Sequence, residues 1–146
     1  VMLMRAEALI ETDQLAEART IINDIRQRAK NSVDKHIAYA KDQCEIALYP
    51  ESYFQNKETA RKCLRWERRL ELAMENGRYF DLRRWGLASK TLNAYFATEK
   101  NDVYDGQTYA TYLKDAHYTA GKNEFYPIPY NQLYYVPGLY KQNKNY

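Results

Sequence analysis

The first thirty residues carry apolar side chains at alternating spacings of three and four, the period of an amphipathic helix. The stripe is interrupted once, at Asp13, and then resumes. Its members are Leu3, Ala6 and Ile10 before the interruption and Leu15, Ala18, Ile22, Ile25 and Ala29 after it. This spacing predicts an antiparallel helix pair over residues 1–30.

The helix pair has a partial likeness to a tetratricopeptide repeat. Ala6 and Ala18 lie twelve residues apart, and small residues at such positions let two helices approach closely. The pattern occurs once, and a single repeat cannot bury its own outer face. We therefore expect another repeat upstream, so that residues 1–146 form the C-terminal part of a longer protein.

Three more helical stripes follow between residues 33 and 96. The first starts after Ser32, a candidate cap, stops at Pro50, and consists of Val33, Ile37, Ala40, Cys44 and Ala47. The second starts after Asn56, ends at the left-handed stop Asn76-Gly77, and consists of Cys63, Trp66, Leu70 and Ala73. The third consists of Leu82, Trp85, Ser89, Leu92 and Phe96.

The helical period disappears in residues 97–146, where ten of the fifteen tyrosines lie. Pro127 and Pro129 force extended backbone at the residues before them. Tyrosine supplies a large apolar ring and a hydroxyl that bonds backbone groups, so we expect an ordered loop region. The predicted fold is mainly α: a tetratricopeptide-like helix pair, further antiparallel helices and a long Tyr/Pro-rich C-terminal loop region, in a single unit over 1–146.

Composition narrows the functional classes. The net charge of +3 with 28% charged residues disfavours disorder and gives no broad basic field for nucleic acid. One basic run does occur, and it consists of Arg61, Lys62, Arg65, Arg68 and Arg69. A charged, solvent-facing helix surface explains this run better than phosphate binding does. Cys44 and Cys63 are interpreted as buried free thiols or one incidental bridge. No apolar run approaches the ~20 residues that cross a bilayer.

The most charged segment runs from residue 67 to residue 86. Glu67, Glu71 and Glu75 recur every four residues, so in a helix they form one row of mutually repelling carboxylates. Arginines that follow Gly77 can fold back and neutralise this row. They are Arg78, Arg83 and Arg84. Asp81 and Arg84, three residues apart, fit the same picture as an ion pair with Trp85 packed beneath them. We interpret the segment as a helical corner held by ion pairs.

The same carboxylates allow two chemical alternatives. A carboxylate metal site would add a histidine three residues after a glutamate, and neither His36 nor His117 is so placed, so no metal or other cofactor is expected. A glycosidase needs a carboxyl with a raised pKa, whereas glutamates among arginines have lowered values. A structural ion network is therefore preferred, and no catalytic residue is assigned.

The C-terminal tyrosines suggest a binding surface. A tyrosine ring stacks on the apolar face of a sugar while its hydroxyl bonds the sugar's edge. The candidate ligand-binding residues are Tyr104, Tyr109, Tyr112 and Tyr118. The alternative is packing in a core or an interface, which the spacing of Tyr126, Tyr130 and Tyr134 favours.

The segment ERRLELAMENGRYFDLRRWG, from Glu67 to Gly86, resembles the signature of the SusD/RagB family of outer-membrane nutrient-binding lipoproteins. The terminal PIPYNQLYYVPGLYKQNKNY resembles that family's C-terminal pattern, with Val136-Pro137 in place of an Asn-Pro and Lys144-Asn145 in place of a closing Pro-Gly. The helix pair of residues 1–30 resembles the family's last tetratricopeptide-like unit. The matching signature residues are Glu67, Arg68, Glu71, Gly77, Arg78, Asp81, Arg84 and Trp85.

The resemblance implies a non-enzymatic protein at the outer surface of a Gram-negative bacterium. It would capture glycans or other nutrients for a SusC-like, TonB-dependent outer-membrane transporter, held to the membrane by a lipid anchor upstream of residue 1. The signature residues would be architectural, and no contact with nucleic acid is implied. A helical scaffold for a protein partner is the first alternative, and a glycoside hydrolase is the second.

Overall fold

The computed structural model describes residues 1–36, 45–101, 103–104, 107–108 and 111–146. The fold is mainly helical, as predicted. The helices are α1 (Met2–Glu11), α2 (Leu15–His36), α3 (Lys57–Glu71), α4 (Arg78–Arg84), α5 (Ala88–Glu99) and α6 (Tyr130–Tyr135). The two-residue strands β1 (Val103–Tyr104) and β2 (Gln107–Thr108) pair antiparallel, with Val103 opposite Thr108. The chain divides into two compact units, Val1–Asn76 and Gly77–Tyr146. The single unit over 1–146 and the tetratricopeptide-like character of the helix pair stay predictions.

The predicted helix pair is confirmed. Asp13 has a left-handed backbone (φ 63°), and the N–H groups of Asp13 and Gln14 donate to the carbonyls of Ile10 and Leu9, which closes α1. The buried stripe of both helices consists of Leu3, Ala6, Ile10, Ala18, Ile21, Ile22 and Ile25. Phe54 and the buried residues of α3 complete this core.

The prediction of a new helix after Ser32 is wrong, because α2 continues through Ser32 to His36. A serine hydroxyl caps a helix only where the backbone has already left the helical conformation, and no Gly or Pro breaks this segment. Ala47, the last residue of that predicted stripe, lies in non-helical backbone. Residues 37–44, including Cys44, lie outside the described residues.

Helix α3 begins as predicted and ends earlier. The Asn56 side chain accepts a hydrogen bond from the Thr59 N–H at 2.9 Å. The helix stops at Glu71, and the left-handed residues beyond it are Met74 and Asn76, whereas Gly77 has an ordinary φ of −76° and precedes α4. Gly77 is therefore the first cap position of the next helix and not the stop of this one.

The buried face of α3 also differs from the predicted one. Ala60, Cys63, Leu64 and Glu67 are buried, whereas Trp66 is 52% exposed and Leu70 50% exposed. Two sets of residues with helical spacing overlap on this helix. The apolar pattern did not reveal the buried set, because one of its members is the carboxylate of Glu67. Cys63 is a free, buried thiol, as interpreted, and burial raises its pKa.

In the second unit, the single helix predicted after Gly77 is two helices. Gly86 is left-handed (φ 67°), and the N–H groups of Gly86 and Leu87 donate to the carbonyls of Arg83 and Leu82 at 3.0 and 2.8 Å. This is a Schellman C-terminus, which also packs Leu87 near Leu82. The buried core of this unit consists of Leu82, Ala88 and Tyr118.

The described part of the tail is ordered by polar side chains more than by rings. Gln142 accepts from the Ile128 N–H at 2.8 Å and donates to the Ile128 carbonyl at 3.0 Å. Asn143 and Asn145 donate to the carbonyls of Tyr126 and Gly121. The predicted core packing of Tyr126, Tyr130 and Tyr134 is wrong, because all three rings are largely exposed; of that interpretation only interface packing remains.

Candidate functional site

Glu67 lies in the core of the first unit, 4% exposed. Its Oε2 receives a hydrogen bond from Arg26 Nη1 at 2.8 Å. The same guanidinium donates from Nε to the Ala47 carbonyl at 2.6 Å and stacks over the Tyr49 ring at 4.6 Å. A buried carboxylate needs a paired charge and hydrogen bonds, and Arg26 supplies both.

Glu71 pairs with Arg28, also from α2, while Glu75 is exposed beyond the end of α3. The partners described for Glu67 and Glu71 are thus arginines of α2, and neutralisation of the row by the arginines after Gly77 stays a prediction. The prediction considered cations close in sequence, whereas Arg26 and Glu67 are 41 residues apart and meet only because α2 packs against α3.

The signature residues of α4 form a second ion pair. Asp81 is buried, and Arg84 donates to its Oδ1 from both Nε and Nη2 at 2.9 Å. The guanidiniums of Arg84 and Arg78 lie 4.8 and 5.9 Å from the centre of the Trp85 ring. The predicted Asp81–Arg84 pair with Trp85 beside it is confirmed, and these contacts are internal to the protein.

Other charged groups form surface pairs. Arg61, from the predicted basic run, binds both carboxylate oxygens of Glu11, and Lys62 binds Glu58 at 2.7 Å. The hydrogen bond from Arg61 lowers the pKa of Glu11, and the hydrogen bond from Lys62 lowers the pKa of Glu58. Among the described residues, no three His, Cys, Asp or Glu side chains cluster as a metal site would require.

The four candidate tyrosines are placed very differently. Tyr112 lies in a short 3₁₀ turn and is 79% exposed. Tyr118 is 5% exposed and belongs to the core of its unit, so its ring faces no ligand; burial raises its pKa to about 12. Tyr104 lies in β1, and Tyr109 lies outside the described residues. Of the four, the structure offers the ring of Tyr112 for stacking.

Two pockets rich in aromatic residues were not predicted from the sequence. The Tyr49 pocket encloses about 240 Å³, and its lining includes Tyr49, Tyr53, Thr59, Lys62, Cys63 and Trp66. The Phe80 pocket encloses about 510 Å³, and its lining includes Phe80, Arg83, Arg84, Glu124 and Phe125. The Phe80 pocket joins α4 to a loop that is distant in sequence, and the Tyr49 pocket joins α3 to the turn that precedes it. Helical periodicity gives no signal for either.

A larger set of tail aromatics is also exposed. Tyr130 and Tyr134, one helical turn apart on α6, stack with ring centres 5.9 Å apart, and Tyr135 meets Tyr134 edge-on. Large exposed aromatic surfaces in loops are typical of places where proteins meet ligands or partners. The clustering of tyrosines in the sequence was the signal for this surface, although it did not indicate which rings would be exposed.

Comparison with protein families gives one result. The model of the SusD family matches residues 1–146, the whole chain. Members of that family are outer-membrane surface lipoproteins that generally bind nutrients without catalysing a reaction. A search of curated proteins produced no significant match. None of the described helices is long and apolar enough to cross a membrane.

Proposed function

The chain belongs to the SusD family, and we propose that it binds nutrients, most of all glycans, at the cell surface without changing them chemically. The observation that carries this proposal is the family match along all of residues 1–146. The residue chemistry agrees with it, since the most conspicuous carboxylates form ion pairs with arginines and the exposed loop surface is aromatic.

Exposed rings on the second unit suit sugar binding. Tyr112 is the candidate with an exposed ring, and Tyr104 and Tyr109 remain proposed contacts. Stacking on single rings is weak, so we propose that affinity for a polymer accumulates over several contacts.

Delivery to a SusC-like, TonB-dependent transporter is the second part of the proposal, together with a lipid anchor that holds the protein at the outer membrane. Trp66 and Leu70 supply an observation in its favour, since they form an exposed apolar strip on α3. Such a strip suits a protein partner. The same strip supports the alternative function, a helical scaffold for another protein.

Hydrolysis of glycans is less well supported. A glycosidase requires two carboxylates across one cleft, one of them a proton donor with a raised pKa. Glu67 is buried against Arg26, and Glu71 is paired with Arg28, so neither resembles such a donor.

The test is a binding screen of the chain against arrays of polysaccharides, oligosaccharides and peptides, followed by calorimetry on each hit. We expect retention on at least one glycan, competition by the free oligosaccharide, and recovery of that oligosaccharide with unchanged length. Tyr112→Ala should weaken binding, and Tyr112→Phe, which keeps the ring, should weaken it less. Retention on peptides alone would refute glycan binding, and shortened products would refute the absence of catalysis.

A further inference from the structure

The Phe80 pocket combines groups that the proposed function has not used. It lies wholly within the second unit, between α4 and the segment that carries Glu124 and Phe125. Its volume of about 510 Å³ falls within the ~300–1,000 Å³ that small-molecule sites enclose. Size and position alone do not identify a ligand, so the chemistry of the lining decides.

Two aromatic rings form its apolar part. Phe80 and Phe125 are each 57% exposed, and they come from a helix and a loop. Exposed phenylalanine rings form no favourable contacts with water, but they can stack on the C–H face of a sugar ring. The two phenylalanine rings therefore favour a flat or ring-shaped ligand over an extended, highly charged one.

Glu124 forms the polar part. Its Oε2 is shielded from solvent and accepts no hydrogen bond from any described residue. A buried acceptor without a donor is destabilising, and such a group calls for an explanation. The Tyr118 hydroxyl is also buried: burial first and the neighbouring Tyr79 next raise the pKa of Tyr118, and Glu124 is close enough to add to that shift. Glu124 also lines the pocket, so a ligand with hydroxyl groups can donate to the part of its carboxylate that faces the pocket.

The arginines decide the charge of the ligand. Arg84 is already matched by Asp81, so its charge is balanced inside the protein. Arg83 stacks over Tyr79 at 5.5 Å, and together with Glu124 it leaves the pocket close to neutral. A neutral ligand with several hydroxyls fits this balance better than an anion. The Tyr49 pocket is a poorer match, since it encloses only about 240 Å³ and its lysine is held by Glu58.

We propose that the Phe80 pocket binds one neutral pyranose unit of the nutrient glycan. The sugar ring stacks on Phe80 and Phe125, its hydroxyls donate to Glu124, and Arg83 donates to a sugar oxygen. This site rests on the proposed glycan binding and adds a specific subsite to it, whose lining includes the signature residue Arg84 but not Tyr112.

The test titrates the chain with neutral methyl hexopyranosides of gluco, galacto and manno configuration, and with methyl glucuronide, by ligand-observed NMR. We expect binding of at least one neutral sugar, weakened about tenfold or more by Glu124→Gln, which removes the charge of the acceptor. Phe125→Ala should weaken it similarly, and Phe125→Tyr, which keeps the ring, should not. Asp115→Asn, at an exposed carboxylate of the same unit, is the matched control. Thermal melting checks that each variant folds.

The outcomes separate this site from the wider function. If the chain binds glycans in the array but the Glu124 and Phe125 variants bind them as tightly as the original, the pocket proposal fails and the function stands. Tighter binding of the glucuronide than of every neutral sugar would overturn the neutral assignment. If the chain binds no sugar in either experiment, both proposals fail together.

Discussion

The two units of this chain are stabilised in different ways. In residues 1–76, eleven buried residues from three helices and a 3₁₀ turn form one continuous apolar cluster. In residues 77–146, the corresponding cluster among the described residues has three members, Leu82, Ala88 and Tyr118. Fully burying an aliphatic side chain contributes about 1.5–3 kcal/mol. The first unit therefore derives its stability mainly from the hydrophobic effect.

The second unit relies on side-chain amides that bind the backbone of loops. Asn93 binds both the N–H and the carbonyl of Tyr118, at 2.7 and 2.9 Å, and Gln142 does the same for Ile128. Among the described residues of the first unit, Asn23 does the same for both backbone groups of Tyr49. A hydrogen bond contributes about 0.5–1.5 kcal/mol net. We therefore expect the second unit to open more readily than the first.

The largest effect is expected at the buried ion pair of the first unit. Glu67→Ala should lower the free energy of unfolding by about 3–5 kcal/mol, because it leaves Arg26 charged and buried. Glu71→Ala breaks a much more exposed pair and should cost less than about 1 kcal/mol. Urea unfolding of both variants measures the difference, and equal losses would contradict the burial argument.

Core truncation compares the two clusters directly. Leu64→Ala should cost about 2–5 kcal/mol, since Leu64 is almost fully enclosed by the larger cluster. Leu82→Ala should fall at the lower end of that range, because its small cluster can relax around the cavity. Hydrogen exchange followed by mass spectrometry should show each loss in its own unit, and a larger loss for Leu82 would reverse the comparison.

Removal of an amide tests the polar stabilisation of the tail. Gln142→Ala deprives the Ile128 N–H and carbonyl of their partner and should cost about 1–3 kcal/mol. Faster amide exchange around Ile128 is the direct readout. Gln132→Ala, at an exposed position of α6, is the control and should stay within about 0.5 kcal/mol. No difference between the two would show that the amide does not order the tail.

Left-handed helix ends allow a paired test. Gly86→Ala should destabilise by about 1–2 kcal/mol, because a Cβ disfavours φ of 67° even though the space around it is open. Asp13 ends α1 with nearly the same conformation, and Asp13→Gly should stabilise by up to about 1 kcal/mol. Thermal melting measures both, and opposite signs are the expected result.

The last comparison, whose effect appears only in alkaline solution, is the titration of two tyrosines. Burial raises the pKa of both Tyr49 and Tyr118 to about 12. Because these values exceed the ordinary ~10, their contribution to stability is present below pH ~10 and is lost as the pH rises towards 12. Absorbance difference spectra against Tyr49→Phe and Tyr118→Phe measure each group. If the second unit opens first, Tyr118 should ionise at lower pH than Tyr49; the reverse order would contradict the proposed ranking.

Prediction from the sequence succeeded where the signal is local. The helix pair, the Asn56 cap and the Asp81–Arg84 pair each depend on residues within about one turn of one another, and all three are confirmed. The predictions were wrong where the helical period was compatible with two different buried faces of one helix. The stripe of Trp66 and Leu70 has the same helical spacing as the true core face of α3. Because that core face includes the buried Glu67, its apolar pattern was incomplete.

The sequence by itself determined the mainly helical class, through apolar periodicity, and the family, through the charged signature of residues 67–86. Tertiary structure alone decided that Arg26 is the partner of Glu67, that Asn and Gln side chains order the loops, and that Phe80 and Glu124 share a pocket. The physical reason is the distance along the sequence over which each interaction acts. Helical propensity and capping act between neighbours in sequence, whereas the partner of a buried charge is set by which helices pack together.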